Sequence, residues 1–439
     1  MNDLDLIATR FERALAASPA DETELVWTAV RTQSTNASGK ARDIEDNIQT
    51  TLGVRVRERG RVGTHRAGNA EPGDIENAIR AALGQARGHE PLPGLPHLPN
   101  SASGIPPLSD GAFDPELAKL VPADAVTKLR RWVDRSELGQ LRWQTGEFLV
   151  ASSRGPLRRA QVTAAALDVR SGKGAGVGLA SGAGRSLASL GAEGIVARAR
   201  SRRTSTEPGA PPTGPLPVWL SPEATGTLMH VLARTAFTAH RYRDGSSFLR
   251  QHLGTHVFDR RLTLIDDGTD VAGMPFPFDL EGTAKRRVEL IGEGTPRTPA
   301  LDQRHAALFG LQATGHASGG DDARAENLFL LPGEASKEDL LAAAAGGIFV
   351  AALEDCVTHP PLGTLLRARA RGVRAVTREG INQPLPDLVL EDSLLRALSH
   401  VLALGQERVL TSHGDEILGG VLSPALVTDS WSLAPGLSR

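Results

Sequence analysis

The stretch Glu207-Pro-Gly-Ala-Pro-Pro-Thr-Gly-Pro215, followed after Leu216 by Pro217-Val-Trp-Leu-Ser-Pro-Glu-Ala224, divides the chain in two. Proline removes a backbone donor and fixes φ, so a run this dense in proline and glycine does not join a regular helix or sheet. It marks a domain boundary, with residues 1–213 on one side and 214–439 on the other. Just beyond it Pro217 to Leu220 reads as a strand. A helix begins near Pro222, where a proline in the first turn sacrifices no intrahelical hydrogen bond.

Working outward, Leu4, Ile7, Phe11 and Leu15 recur at helical spacing after Asp3, giving an amphipathic helix whose apolar stripe needs a sheet to cover. Leu25 to Thr32 and Gly53 to Arg57 supply strands, and Arg59-Gly60 is placed as a hairpin turn before Val62. Ile75, Ile79, Ala82 and Ala86 mark a second helix after Asp74. Pro91 to Pro107 reads as a long surface connection, Glu147 to Ser152 as a strand ending at Ser153-Arg154-Gly155, and Ala165 to Arg185 as strands with glycine bends. Helices are expected at Ala192 to Arg200, from Ser336 with an Asp339 capping box, and from Asp392 to a stop at Gly405. The pattern is α+β: two domains, each with a mixed or antiparallel sheet packed by helices. No repeat of solenoid length is visible.

At 439 residues the chain exceeds what one core usually supports. Its 40% hydrophobic and 23% charged content is that of a globular protein, not a disordered one. With 49 basic and 51 acidic residues the net charge is -2, which creates no overall field for nucleic acid or an anionic membrane. One cysteine, Cys356, excludes an internal disulfide framework and any Cys-x-x-Cys site. Acids stand where a signal peptide needs basic residues, and no apolar run reaches membrane-spanning length, so a cytoplasmic location is expected.

The chemistry-bearing residues form no complete motif. His-Glu-x-x-His is absent; His252 and His256 have i, i+4 spacing but enclose Gly254 and lack the glutamate. His230 and His240 flank an expected helix without aligning at whole turns. His316, Asp321 and Asp322 sit in a glycine-rich stretch that reads as a flexible loop before it reads as a ligand site. Cys356 lies among Glu354, Asp355 and His359, and carboxylates beside a thiol raise its pKa, which favours a structural role over a nucleophilic one. There is no Gly-x-Ser-x-Gly elbow, and Gly172-Lys-Gly-Ala-Gly-Val-Gly178 lacks the Ser or Thr of a Walker A loop. Arg367, Arg369 and Arg371 share a face if extended, with Arg374 close behind, but no aromatics stand among them to stack bases.

Several separated stretches together resemble the TldD/PmbA family, also called TldD/TldE peptidases or modulators of DNA gyrase. They are Pro217 to Ala224, Ser246-Ser-Phe-Leu249, Pro277-Phe-Asp-Leu-Glu-Gly282, Arg286-Arg287, Thr314-Gly315, Asn327-Leu328, Leu331-Pro-Gly333 and Gly347-Ile-Phe-Val350. Fainter N-terminal matches are Gly53-Val-Arg-Val56, Gly60-Arg-Val-Gly63 and Ser153-Arg-Gly155.

The resemblance implies two kinds of subunit. TldD-type chains carry His-Glu-x-x-x-His on the helix after the Ser-Pro-Glu segment plus a distal cysteine, bind zinc, and cleave peptides inside a closed dimer; TldE/PmbA-type chains lack that set. Counting back from Ser246-Ser-Phe248 puts Met229-His-Val-Leu-Ala-Arg234 at the motif, with His230 on the glutamate position. The distal cysteine position falls in Arg367 to Arg371. By this resemblance the chain is a TldE/PmbA-like subunit without catalytic, cofactor-binding or metal residues of its own, with zinc in a TldD-type partner. The expected partners are that subunit, or a second copy of this chain, and a peptide, with no membrane or nucleic acid. Phe278, Asp279, Glu281, Gly282, Thr314 and Gly315 are expected to shape a turn or cavity wall. The alternatives are a stand-alone metallopeptidase built on His230, His240 and Cys356, or a gyrase- or nucleic-acid-associated protein built on the arginine cluster.

Overall fold

The computed structural model describes residues 3–38, 43–92, 94–98, 108–109, 111–319, 322–360, 362–413 and 417–435. The N-terminal half is built on a six-stranded antiparallel sheet of β1 (Glu22–Ser38), β2 (Ile44–Glu58), β3 (Arg61–Ala67), β4 (Glu137–Ser152), β5 (Gly155–Ser171) and β6 (Gly178–Gly184). The strands lie in the order β3-β2-β1-β4-β5-β6. Arg59 and Gly60 both have positive φ, 50° and 73°, the backbone that a two-residue hairpin turn between twisted strands requires.

Because side chains alternate along a strand, each face of this sheet has its own partners. One face carries Leu25, Leu52, Val54 and Leu149 under the helices Asp3–Ala17 and Pro72–Gly88, which contribute Phe11, Ile75 and Ile79. Farther along the same face Leu141, Trp143 and Leu167 meet Leu129 and Ile195 from the helices Pro122–Trp132 and Ala192–Ser201. Phe11 is wholly buried, which stabilises the fold by roughly 1.5–3 kcal/mol. The opposite face packs Val26, Phe148, Val150 and Val162 against Phe276, Phe278, Leu280 and Ile417 of the C-terminal half. Hydrophobic burial therefore brings the Phe-Asp-Leu-Glu-Gly stretch onto the N-terminal sheet.

The C-terminal half adds β7 (Leu216–Leu220), β8 (Leu264–Asp266), β9 (Val288–Gly292), β10 (Thr295–Pro296), β11 (Asn327–Leu330), β12 (Ile348–Val350) and β13 (Ala352–His359). β14 (Leu365–Arg371), β15 (Arg374–Thr377), β16 (Gly380–Pro384), β17 (Leu388–Ser393), β18 (Val401–Thr411), β19 (Gly420–Trp431) and β20 (Leu433–Pro435) follow. A mixed ten-stranded sheet runs β10-β9-β8-β11-β19-β7-β12-β15-β16 with β18 paired to β19, and β13-β14-β17-β20 form a second sheet. The helix Pro222–Ala236 starts at Ser221, whose hydroxyl accepts from the Ala224 N–H at 3.1 Å, and buries Leu228, Met229, Leu232 and Ala233. The architecture is α+β, as the sequence pattern indicates.

The Ser336–Asp339 box forms as expected: each side chain accepts from the other's backbone N–H, at 3.1 and 2.9 Å. The helix expected over Asp392 to Gly405 does not. Only Leu394–Ala397 turns helically, and β18 begins at Val401 and runs through Gly405. The apolar run Val401-Leu-Ala-Leu404 pairs along β19, so the tertiary ladder overrides a short helical signal. The connection from Pro91 to Pro107 lies mostly outside the described residues. Its described end reaches the sheet, where the Leu98 N–H donates to Glu22 at 2.7 Å.

Candidate functional site

The helix Pro222–Ala236 can approach β18 and β19 closely because Gly226 has no side chain. A Cβ there would lie 2.6 Å from Thr411 Oγ1 and 3.1 Å from Ser423 Oγ. One turn on, on the same face of the helix, His230 stacks on His413, which follows β18; the ring centroids are 4.6 Å apart with 29° between planes. His413 Nε2 is 3.2 Å from Thr411 Oγ1. Burial lowers His230 to about 3, helped by His413 and Arg234, and lowers His413 to about 4, helped by Arg142.

Both imidazoles are therefore neutral at physiological pH. A zinc ion does not fit them: stacked rings oppose faces rather than converging lone pairs, and no cluster of three His, Cys, Asp or Glu suited to a metal occurs among the described residues. Arg367 to Arg371, the stretch counted as the distal-ligand position, is strand β14, whereas the imidazole that meets His230 comes from the end of β18.

The neutral pair gives an acid-sensitive contact. Below the ordinary histidine value of 6.5 the unfolded chain takes up protons that the folded one refuses, so stability falls as pH drops from about 6.5 toward 4. The expected slope is up to about 1.4 kcal/mol per pH unit for each histidine. Urea unfolding of the chain and of the His230→Gln, His413→Gln double variant at pH 7 and 5 checks it; the variant should lose less between the two.

The second feature is the turn made by the Phe-Asp-Leu-Glu-Gly stretch. Phe278 bridges to Ala284. Asp279, 2% exposed, accepts from the N–H groups of Glu281 and Thr283 at 2.9 Å and of Ala317 at 3.0 Å. Gly282 completes the turn with φ 71°. Burial pushes the Asp279 carboxyl up to about 6 even with these donors.

Thr314 Oγ1 accepts from the Leu301 N–H at 2.7 Å. Gly315, at φ 75°, passes so near the backbone of Ala284 that a Cβ would lie 2.3 Å from its carbonyl oxygen. Gly315→Ala is expected to destabilise the fold by about 2–4 kcal/mol through left-handed strain and overlap with backbone. Chemical denaturation reads this directly, and a loss below 1 kcal/mol would contradict the close approach.

From this turn Glu281 reaches across to β2 and pairs with Arg55, whose other arm meets Glu24 of β1 at 2.9 Å. One guanidinium thus faces two buried carboxylates. Burial holds Glu281 well above the ordinary carboxyl value against the pull of Arg55, and Asp302, Asp279 and Glu24 push the same way. The cluster borders a cleft of about 530 Å³ lined also by Gly53, Arg66 and Gly319, the last two joined by a hydrogen bond. The sequence marks Glu281 and Gly53 but gives no signal for Glu24, because the pair forms only through sheet register, Glu24 opposite Arg55.

Other residues singled out from sequence fall elsewhere. His316 is not in a flexible loop: it is 1% exposed, with Nδ1 2.9 Å from Thr314 Oγ1 and Nε2 2.8 Å from Asp266. Gly315 turns it inward, and the buried carboxylate supplies the partner a core imidazole needs. Asp322 accepts from the His240 N–H at 3.3 Å, and Asp321 lies outside the described residues. His252 ends a one-turn helix beside Phe248. Burial, with Asp355 and Glu354 adding to it, pushes the Cys356 thiol up to about 12, a poor nucleophile. Arg367, Arg369 and Arg371 do share a face of β14, where Glu391, Asp355, Glu354 and Asp387 pair with them within 3.4 Å.

Against known proteins, residues 213–434 match the family model described as the PmbA/TldA metallopeptidase C-terminal domain. A metalloprotease of Methanothermobacter thermautotrophicus is 27% identical over 202 residues, 45% of this chain and 44% of that protein. The alignment thus spans less than half the length of that relative. Metalloprotease PmbA of Escherichia coli O157:H7 is 26% identical over 340 residues, 72% of this chain and 73% of its own length. Among solved structures, TldE from Thermococcus kodakarensis superposes with a TM-score of 0.79 at 19% identity, covering 98% of this chain and 99% of that one, which establishes likeness of fold. Since the family model covers just over half of the chain, including the helix of His230 and the turn of Asp279, the chain belongs to the PmbA/TldD metallopeptidase family.

Proposed function

We propose that this chain is a non-catalytic, TldE/PmbA-like subunit that pairs with a zinc-bearing TldD-type subunit to form a metallopeptidase acting on peptides or unfolded polypeptides. The carrying observation is the helix Pro222–Ala236. In a metallopeptidase family its Met229–Arg234 stretch bears one imidazole, and that imidazole is buried, neutral and stacked on His413 rather than grouped with carboxylates or thiols. Hydrolysis at a zinc centre needs three protein ligands and an open position for water. Here the same helix contributes packing, and the chain's role in the pair is to build a wall of the peptide-binding cavity.

Co-expression with a TldD-type protein, with association and peptidase activity measured together, tests this reading. A stable complex that cleaves a peptide, with activity lost when the zinc ligands of the TldD-type subunit are replaced, is the expected result. Failure to associate with TldD-type proteins would remove the reading. So would full peptidase activity from this chain alone.

A further inference from the structure

A strand at the edge of a sheet presents a row of unpaired N–H and C=O groups, and among the described residues the sheet edges of this protein are blunted with one exception. On β3 the Thr64 N–H donates to Gln85, and His89 Nδ1 lies 2.8 Å from the Val62 carbonyl. On β6 the carbonyls of Leu179 and Ser181 accept from Arg202 and Arg198 at 2.7 and 2.9 Å. The Pro296 carbonyl of β10 and the Pro384 carbonyl of β16 accept from the N–H groups of Gly254 and Gly209. β13 carries a bulge between Glu354 and Val357, and β20 is three residues long. The exception is the first half of β2. β1 pairs with β2 from Ile44 to Arg57, whereas β3 pairs with it from Leu52 to Glu58, which leaves residues 44–51 without a neighbour on their outer side.

Strand register fixes which groups point outward there. Opposed residues of an antiparallel pair turn their backbone groups either toward each other or both away. Thr64 and Val62 point away from β2, so Arg55 and Arg57, opposite them, point toward β1. By alternation Ile44, Asp46, Ile48 and Thr50 turn N–H and C=O outward, and no hydrogen bond reaches these groups among the described residues. The edge has no lysine, arginine, proline or bulge to guard it. Its acids are turned back onto β1: Asp46 accepts from Arg31 at 2.6 Å and from Gln33 at 3.1 Å, and Glu45 from Ser34 at 3.0 Å. Ile44 and Ile48, on one face, are 48% and 62% exposed.

We infer that residues 44–50 are a docking edge for a second copy of this chain, the two β2 strands pairing antiparallel about a two-fold axis at Asn47 and joining two six-stranded sheets into one. In that register Ile44 faces Thr50 of the second copy, Glu45 faces Gln49 and Asp46 faces Ile48, so outward residues meet outward residues and no like charges are opposed. About eight backbone hydrogen bonds form, two for each opposed outward pair. Ile44 and Ile48 lie diagonally across from Ile48 and Ile44 of the second copy. The neighbouring registers fail. An axis at Asp46 opposes two carboxylates, and an axis at Ile48 sets Ile44 against Leu52, which Ala67 already occupies. This fit of the edge to itself selects a second copy over an unrelated strand. One strand edge offers less than the roughly 1,600 Å² of a standard interface, so the association is weak and reversible. Such self-association goes beyond the pairing with a TldD-type subunit proposed above and does not depend on it.

Sedimentation equilibrium of the full-length chain alone, with hydrogen exchange resolved to single amides, tests it. Between about 1 and 200 µM the mass should rise from one chain toward two. The amides of Ile44, Asp46, Ile48 and Thr50 should exchange several-fold more slowly at the upper end, while those of Glu45, Asn47 and Gln49, held by β1, keep their rates. Ile48→Pro removes an outward donor and no hydrogen bond to β1; Ile48→Asp keeps the donor but sets a carboxylate against Asp46 of the second copy. Each should weaken association about tenfold or more, with an unchanged circular dichroism spectrum. A single chain at every concentration, a dimer that Ile48→Asp leaves at full strength, or a dimer whose outward amides exchange as in the monomer overturns the inference. Protection of those amides only after a TldD-type protein or a peptide is added assigns the edge to that occupant and overturns it as well.

Discussion

Replacing Arg185 with methionine is expected to cost about 3–5 kcal/mol of stability. This side chain is 5% exposed, and its guanidinium donates to four carbonyls: Thr163 at 3.1 Å, Ile417 at 2.6 Å, Met274 at 2.9 Å and Pro275 at 3.0 Å. Those acceptors belong to β5 and to two separate segments of the C-terminal half, so one cation ties the sheet to the segment that leads into the Asp279 turn. Burial lowers its pKa to about 9, with Glu326 opposing, so it is still cationic at neutral pH. A methionine fills much of the volume but leaves the carbonyls without donors in a site that water does not reach. Urea unfolding followed by circular dichroism measures the loss; a change below 1 kcal/mol would mean that the carbonyls find other donors.

Arg55→Met should also be severe, by about 3–5 kcal/mol, and its pH dependence separates charge from packing. Removing the guanidinium leaves Glu24 and Glu281, 3% and 7% exposed, facing each other without a cation. Both carboxyls are already raised by burial, and losing Arg55 raises them further. A carboxyl whose pKa is higher in the folded state binds protons more tightly there, so stability is kept at low pH and lost as pH rises through the folded value. The variant should therefore be closest to the parent near pH 5 and furthest from it near pH 8. Adding Glu24→Gln and Glu281→Gln should recover most of the difference at pH 8. A loss that is the same at both pH values would assign the effect to packing alone.

Local patterns carried much of this architecture. The stripe Leu4, Ile7, Phe11 and Leu15, the Arg59-Gly60 turn and the Ser336–Asp339 box are each decided within a few residues, and the chain folds there as its sequence reads. The helix expected over Asp392 to Gly405 failed because Val401–Thr411 pairs with β19, from Thr411 opposite Val421, ten residues on, to Val401 opposite Thr428, twenty-seven residues on. The site divides the same way. Asp279 and Gly282 can be picked out from a short motif because the Glu281 and Thr283 N–H groups that Asp279 accepts from, and the left-handed turn at Gly282, lie within four residues, whereas Gly315 is confined by Ala284, 31 positions earlier. His413 and Glu24 cannot: the first lies 183 positions beyond the His230 it meets, and the second gains its neighbour from strand register. His316 shows the converse error, a histidine among glycines that reads as mobile until the buried Asp266, fifty residues earlier, is placed against it.

The central claim is that the zinc chemistry of this family does not reside in this chain. Metal analysis of the purified protein after equilibration with zinc, together with a peptide cleavage assay of the same sample, tests it most directly. The account predicts well under one zinc per chain and no cleavage until a TldD-type subunit is added. One tightly bound zinc per chain, with cleavage by this chain alone that disappears on His230→Ala or His413→Ala, would contradict it.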